Sequence, residues 1–527
     1  MVVLSSRNMV LLLIALVGQF GCALQLDANT DAGNADDIVE FYVETRVEDA
    51  SCDFDVQIDN KVEGTDYECG NVFVPRRRDK VNGPNASGLP TTEMRLHFIV
   101  FKGAGYPFND ATFLFTGGPG QSGDGIINGF GFDSFLLEQG DIVFLAPRGT
   151  RYTSNFLDCS IYSSKYDCLY YYGNDTAFDR LPFSTSASAE DVNELQELLG
   201  YPEINGIGVS YGTKLLQAVM ATNPDFKFAV MDSPSAFNST RDISAVLPIL
   251  SKLGSQCEAV DCGFDVVESF ISVLSLYFFT QETIYKPFVD PLDGASREIG
   301  FLELLDTIKN AISFPDRRYI PQALADIAKC TDSNTPCEMT DAIRKIIDYS
   351  LTYTKTAIQR DEGDKHFASG VNRIVNCSDG WNDDDSNTIK DVRDFFVLES
   401  DRFSFDTTLW QERLQRLLAP VPVEEKCPVK LYTDSPTPTP IHSQTPVLLL
   451  EGDFDALTPQ GQARAVSENM PNKKIVTLEN VGHSLITTSG CARNIFWSFI
   501  KDTDAFLSNP DEATGCKNSA VIEFESP

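Results

Sequence analysis

The sequence predicts an α/β chain: a mainly parallel sheet with helices on both faces, interrupted by a mostly helical insertion. Three observations predict it. Short apolar runs alternate with helix-patterned segments over 94–231 and again after 447, the rhythm of parallel strands joined by helical crossovers. Gly208-Val-Ser-Tyr-Gly212 stands between an apolar run and a stretch of good helix formers, which is a strand–sharp turn–helix context. From about 236 to 440 the rhythm changes to helix-like stretches with no convincing strands between them. The chain of 527 residues is too long for one simple core. It divides into a signal segment 1–23, a first core part 24–235, an insertion 236–440 and a second core part 441–527.

The elements follow in order. Arg7 supplies the charge, 9–17 the apolar run and Gly21-Cys22-Ala23 the small-x-small cleavage site of a secretory signal. The apolar run falls short of the roughly 20 residues that span a bilayer, so no stable membrane anchor is expected. A lipoprotein signal ending at Cys22 is the alternative, which Gln19 and Phe20 suit poorly. Residues 24–37 are polar, and 41–47 and 71–75 alternate in strand fashion. A clear strand at 94–101 carries His97, most simply a structural histidine. The strand 111–116 runs into Gly117-Gly-Pro-Gly120, and 141–146 is closed by Pro147-Arg-Gly. Helical spacing marks 187–199 through Val192, Leu195, Leu198 and Leu199. The run 201–209 reads as a buried strand, 214–222 as a helix stopped by Asn223-Pro224, and 228–231 as a further strand. In the insertion, Val266–Phe279, Phe301–Ile312 and 340–358 read as helices. A Pro-rich passage then leads back to 447–450, 460–468, 474–478 and 495–500, where strand and helix resume.

Hydrophobic content of 42% and aromatic content of 11% are those of a folded chain. A net charge of -34, from 76 acidic against 42 basic residues, excludes nucleic acid as a partner and is read as a solubility device. Thirteen cysteines become twelve once Cys22 is cleaved off, an even number that suggests disulfides in an exported chain. Neighbours propose Cys52 with Cys69, Cys159 with Cys168, Cys257 with Cys262, and Cys330 with Cys337. Cys377, Cys427, Cys491 and Cys516 remain. There is no Cys-x-x-Cys pair and the histidines are scattered, so no metal is expected, and the serine chemistry below implies no cofactor. The sequons at Asn85, Asn174, Asn238 and Asn376 permit glycosylation in a eukaryotic host.

The chemistry starts from Ser210. A strained turn flanked by Gly208 and Gly212 would leave its hydroxyl exposed at a strand end, but a neutral hydroxyl needs a base. Around such an elbow the order is serine, acid, histidine. Of the 4 histidines, His97 precedes the serine, and His366 and His442 precede any convincing acidic strand-end loop. That leaves His483, in Asn480-Val-Gly-His-Ser. The acid should follow the strand at 448–450, where Asp455 is preferred for its place before Thr458-Pro459. Asp453 stands as the alternative, and Glu451 still lies on the strand end. The oxyanion needs N–H donors, expected from Tyr211 and from Gly118 of the Gly-Gly-Pro-Gly loop. Because neutral imidazole is the base, activity is expected to fall below about pH 6.

With these residues the chain resembles the α/β-hydrolase serine exopeptidases of the prolyl and tripeptidyl aminopeptidase group. The matching motifs are Phe115-Thr-Gly-Gly-Pro-Gly-Gln-Ser-Gly, Asp141-Ile-Val-Phe-Leu-Ala-Pro-Arg-Gly-Thr, Gly208-Val-Ser-Tyr-Gly-Thr, Gly452-Asp-Phe-Asp-Ala-Leu-Thr-Pro and Gly482-His-Ser. Tyr67-Glu-Cys-Gly-Asn-Val-Phe-Val-Pro looks like the group's first core strand. The likeness spans nearly the whole mature chain, with the insertion matching loosely. It implies an α/β-hydrolase fold and a secreted serine exopeptidase acting on small peptides under a helical cap. The tail is similar to the secreted tripeptidyl type, which implies a Cys491–Cys516 pair. Ala146 stands where the group has an acid and Arg151 where it has a small residue, and both bear on substrate preference. Cap acids of the group hold the peptide amine; none among 236–440 is singled out. The rival reading is a carboxylesterase or lipase on the same machinery. Epoxide hydrolases and haloalkane dehalogenases are disfavoured because they attack with aspartate where Ser210 stands. A catalytically inactive binding or adhesion relative is the alternative from another class, against which the retained triad speaks.

Overall fold

The computed structural model describes residues 44–57, 61–77, 93–104, 110–131, 133–159, 168, 171, 181–223, 225–237, 246–279, 285–289, 294, 296–330, 336–354, 367–378, 441–509 and 524. The signal segment, His366, Cys427, Cys516 and the sequons at Asn85, Asn174 and Asn238 lie outside them. The strands are β1 (Arg46–Asp49), β2 (Tyr67–Pro75), β3 (Glu93–Phe101), β4 (Asp110–Phe115), β5 (Asp141–Leu145), β6 (Glu203–Val209), β7 (Phe226–Asp232), β8 (Tyr285–Val289), β9 (Ser296–Gly300), β10 (Cys337–Glu338), β11 (Val447–Gly452) and β12 (Lys473–Leu478).

Nine of these form one sheet in the order β1-β2-β3-β5-β4-β6-β7-β11-β12. The six from β5 to β12 are mutually parallel, and β1, β2 and β3 join antiparallel at the other end. This is the α/β-hydrolase fold, a mainly parallel sheet covered on both faces. Its central strands are apolar on both faces because alternate residues enter two different cores. Ala111, Phe113 and Phe115 of β4 pack with Leu195 and Leu215 on one side. Leu114 faces the opposite side, with Ile127 and Phe496. The first face is covered by helices Thr185–Leu199 and Tyr211–Thr222, the second by helices Asp124–Phe130 and Gly490–Lys501. Helix Thr185–Leu199 begins where Ser184 Oγ accepts the Ala187 N–H and ends at Gly200.

One ion pair sits inside this frame. Arg148 and Asp191 are both almost fully buried, and the guanidinium donates to the two carboxylate oxygens at 2.6 and 2.7 Å. Its remaining donors reach the carbonyls of Arg76, Pro182 and Pro75. The Pro147-Arg-Gly motif thereby ties β2 and the loop after β5 to helix Thr185–Leu199.

Between β7 and β11 the described residues form helices Val246–Ala259, Val266–Phe279, Phe301–Ile312, Ile320–Ala328, Asp341–Thr354 and Ser369–Ser378. They also form a second sheet, β10-β8-β9. The expectation of no strands here is therefore corrected. These strands have little apolar alternation: β8 contains Pro287, β9 has Ile299 as its one large apolar residue, and β10 is two residues long. Pairing by neighbours, rather than local pattern, creates them. Pro287 is tolerated because β10 pairs only with Phe288 and Val289.

Four disulfides join Cys52 to Cys69, Cys159 to Cys168, Cys257 to Cys262 and Cys330 to Cys337. Cys491 is also disulfide-bonded. The Cys377 side chain is not among those described. Among the described residues no helix is long and apolar enough to cross a membrane.

Candidate active site

Ser210 follows β6 and opens helix Tyr211–Thr222, with φ 57° and ψ -124°. A residue with a side chain held there costs on the order of 1–3 kcal/mol, so neighbours must over-determine it. The Ser210 N–H donates to Asp232 O at 2.9 Å, and Thr213 returns its N–H and hydroxyl to Ser210 O. The flanking glycine is required by space: a Cβ on Gly212 would lie 2.0 Å from Phe115 O. Ser210 is half-buried.

The Gly117-Gly-Pro-Gly120 loop lies against it. A Cβ on Gly117 would come within 3.2 Å of Ser210 Cβ. Gly118 has φ 109°, in the left-handed region that favours glycine, and is half-buried. The N–H of Tyr211 belongs to the group that points out of the helix N-terminus. The start of helix Ser369–Ser378 and the residue before it pack on this loop: Ala368 N–H donates to Gly120 O at 2.8 Å, and Asn372 Nδ2 to Pro119 O at 3.1 Å.

Asp455 and His483 meet in the interior, with Nδ1 2.8 Å from Oδ2. Asp455 is 0% exposed and His483 5%. The turn explains the aspartate: Oδ1 accepts the N–H groups of Leu457 and Thr458, and Oδ2 accepts the Thr458 hydroxyl at 2.7 Å. Burial alone would raise the Asp455 pKa, but the charge and hydrogen bond of His483 and the Thr458 donors outweigh it and hold the carboxyl below its ordinary value. Burial alone would lower His483; Asp455, aided by Asp232, outweighs it and raises the imidazole.

The two alternatives for the acid are engaged elsewhere. Asp453 pairs with Lys252 from helix Val246–Ala259. Glu451 accepts the Gly461 N–H and the Thr477 hydroxyl. His97 is structural: Nε2 accepts the Asp53 N–H and Nδ1 faces Asn71 Oδ1 at 2.9 Å. His442 is exposed.

Three residues that sequence reasoning passed over hold the histidine loop. Asp232, at the end of β7, accepts the N–H groups of Leu485 and Ile486, and Ser233 Oγ accepts that of Ser484. Burial pushes the Asp232 carboxyl up to about 6. Its signal was available, an acid ending an apolar strand. Ser313, after helix Phe301–Ile312, accepts the His483 N–H at 2.7 Å through its carbonyl, for which no local pattern exists.

The sheet order, the elbow and the buried Asp–His pair together define a hydrolase of the α/β-hydrolase type. A family model described as TAP-like protein matches residues 423–506, the stretch that carries both Asp455 and His483. No curated protein matches the chain. Among solved structures, esterase E22 superposes with TM-score 0.39 and 9% identity, over 84% of this chain and 100% of that one. A proline iminopeptidase-related protein from Thermus thermophilus gives 0.34 and 14%, over 80% and 96%. An epoxide hydrolase from Vigna radiata gives 0.31 and 12%, over 77% and 94%.

Proposed function

We propose that this chain is a secreted serine exopeptidase that releases residues from the N-terminus of small peptides through an acyl-enzyme on Ser210. The observation that carries the reading is the buried 2.8 Å Asp455–His483 pair, set at the same end of the sheet as the serine elbow. Ser210 Oγ attacks the scissile carbonyl while His483 Nε2 takes its proton. Asp455 holds Nδ1 as the donor and stabilises the imidazolium that forms. The N–H groups of Tyr211 and Gly118 receive the oxyanion. His483 then protonates the leaving amine, and water, activated by the same imidazole, releases the acyl group.

The exopeptidase part rests on the motif resemblance and on the TAP-like match over the acid and histidine loops. Export is supported by the signal-like 1–23 and by four disulfides, which belong in an oxidising compartment. The residues between β7 and β11 serve as the cap that keeps large proteins out. The test is a panel of aminoacyl- and tripeptidyl-arylamides with free and blocked amines, beside short-chain esters. Free-amine substrates are expected to be cleaved and blocked ones not, and Ser210→Ala should lower turnover roughly 10³-fold or more. Ester cleavage of equal efficiency, indifferent to any amine, would make it a carboxylesterase. Failure of a fluorophosphonate to label Ser210 would make it an inactive relative.

A further inference from the structure

The segment after helix Phe301–Ile312 reaches into the scaffold of the acid–histidine pair. Ser313 is 1% exposed and bridges two catalytic loops. Its carbonyl accepts the His483 N–H at 2.7 Å, and its Oγ accepts the N–H of Ala456, next to Asp455, at 3.0 Å. The hydroxyl proton goes to Lys309 O at 2.9 Å, which fixes the rotamer. Contact with the histidine loop is close enough that a Cβ on Gly482 would lie 2.0 Å from Ser313 O. The Phe314 and His483 rings meet near-perpendicularly, with centroids 5.9 Å apart. Phe454 and Ala456, which flank Asp455, pack in the same hydrophobic cluster as helices Val246–Ala259 and Phe301–Ile312.

We propose that Ser313 is a positioning residue for the Asp455–His483 pair, so that the residues between β7 and β11 are part of the catalytic frame and not only a cover over it. The proposal rests on the triad reading above. Acid and base ride on loops from different strands, and loops drift unless tied. One residue accepting an N–H from each loop fixes the carboxylate against the imidazole. The consequence for any opening of the cap is specific: the end of helix Phe301–Ile312 must stay with the core while other parts move.

The test is Ser313→Ala, which removes the acceptor for Ala456 N–H and keeps the carbonyl. Because a misplacement of about 1 Å costs about 10² in rate, kcat should fall roughly ten- to hundred-fold. KM for a peptide arylamide should be unchanged, and fluorophosphonate labelling should slow in parallel. His483 lies among Asp455, Asp232 and Lys309. Loosening the nearest anion should also move the acidic limb of kcat/KM to lower pH. Ser313→Thr, which keeps a hydroxyl, should restore most of the rate. If the alanine variant does not fold, Ser313→Cys carries the same test with a weakly bonding group of similar size. A folded variant with wild-type kcat and an unmoved limb overturns the proposal, even if its melting temperature drops. A wild-type protein that fluorophosphonate never labels overturns the triad reading instead.

Discussion

Asp455→Asn tests the acid more sharply than removal of the side chain, because the outcome follows from counting hydrogen bonds. Oδ1 accepts two backbone N–H groups, while Oδ2 accepts the Thr458 hydroxyl and faces His483 Nδ1. An amide has only one oxygen. If it stays with the backbone donors, its NH2 faces the imidazole, which must then present a bare Nδ1 and carry its proton on Nε2. That tautomer cannot accept the Ser210 proton. The opposite orientation keeps the working tautomer but leaves two buried N–H groups without acceptors, at about 1–3 kcal/mol each. Populating it at a cost of about 2–6 kcal/mol lowers turnover roughly 30-fold to 20,000-fold. Loss of the anion that stabilises imidazolium adds to this, so a fall of about 10³-fold or more in kcat is expected. Stopped-flow acylation with an activated arylamide measures it, with near-UV circular dichroism checking the fold. Asp453→Asn is the control and should keep turnover within about tenfold, since that side chain pairs with Lys252. A folded Asp455→Asn variant within tenfold of wild type would refute the argument.

Further perturbations follow. Burial would lower His483, but Asp455 outweighs it and raises the imidazole above its ordinary 6.5, so the base form dominates only above that value. The acidic limb of kcat/KM should therefore lie above pH 6.5, higher than composition and motif alone suggest, and a limb below 6.5 contradicts the pair's electrostatics. Asp232→Asn removes a second anion that raises the imidazole and should shift this limb to lower pH, as a pH–rate series would show. Arg148→Ala leaves Asp191 buried without its cation, and urea unfolding should record a loss of about 3–5 kcal/mol. A loss below about 1 kcal/mol would mean the pair is not what holds that corner.

The core was legible because its elements announce themselves locally. β4 and β6 start or end within a residue or two of their apolar runs, since a central strand buried on both faces must be apolar along most of its length. Helix Phe301–Ile312 has the bounds its periodicity gave. What failed was whatever distant contacts decide. Asp455 is set apart from Asp453 in sequence by its place before Thr458-Pro459, whose Thr458 donates to it. The pairing of Asp453 with Lys252, about two hundred residues earlier, has no such local sign. β8, β9 and β10 exist through mutual pairing, and Ser313 acts through a carbonyl that every residue owns. Asp232 was readable by the rule that found Asp455 and was missed because one acid already filled the role.

The need for Asp232 follows from the sheet itself. Ser210 leaves β6 while His483 leaves β12, three strand positions away, or roughly 14 Å at the usual spacing. The proposed transfer of the serine proton could not bridge that span from a strand end, and the His483 loop does lean back across β11 to the end of β7. The end of β7 supplies the attachment. Asp232 lies opposite Val209 in the β6–β7 register and opposite Leu450 in the β7–β11 register. Its carbonyl takes the Ser210 N–H, while its carboxylate and Ser233 take three successive N–H groups of the histidine loop. One strand end therefore holds both the Ser210 elbow and the His483 loop. The acid then belongs on the strand the loop must cross, which is β11, just beyond the point where Gly452 still pairs with Leu478. Glu451 lies within that pairing and is engaged by Thr477 across it, whereas Asp455, past the turn, is free to meet the imidazole as it passes.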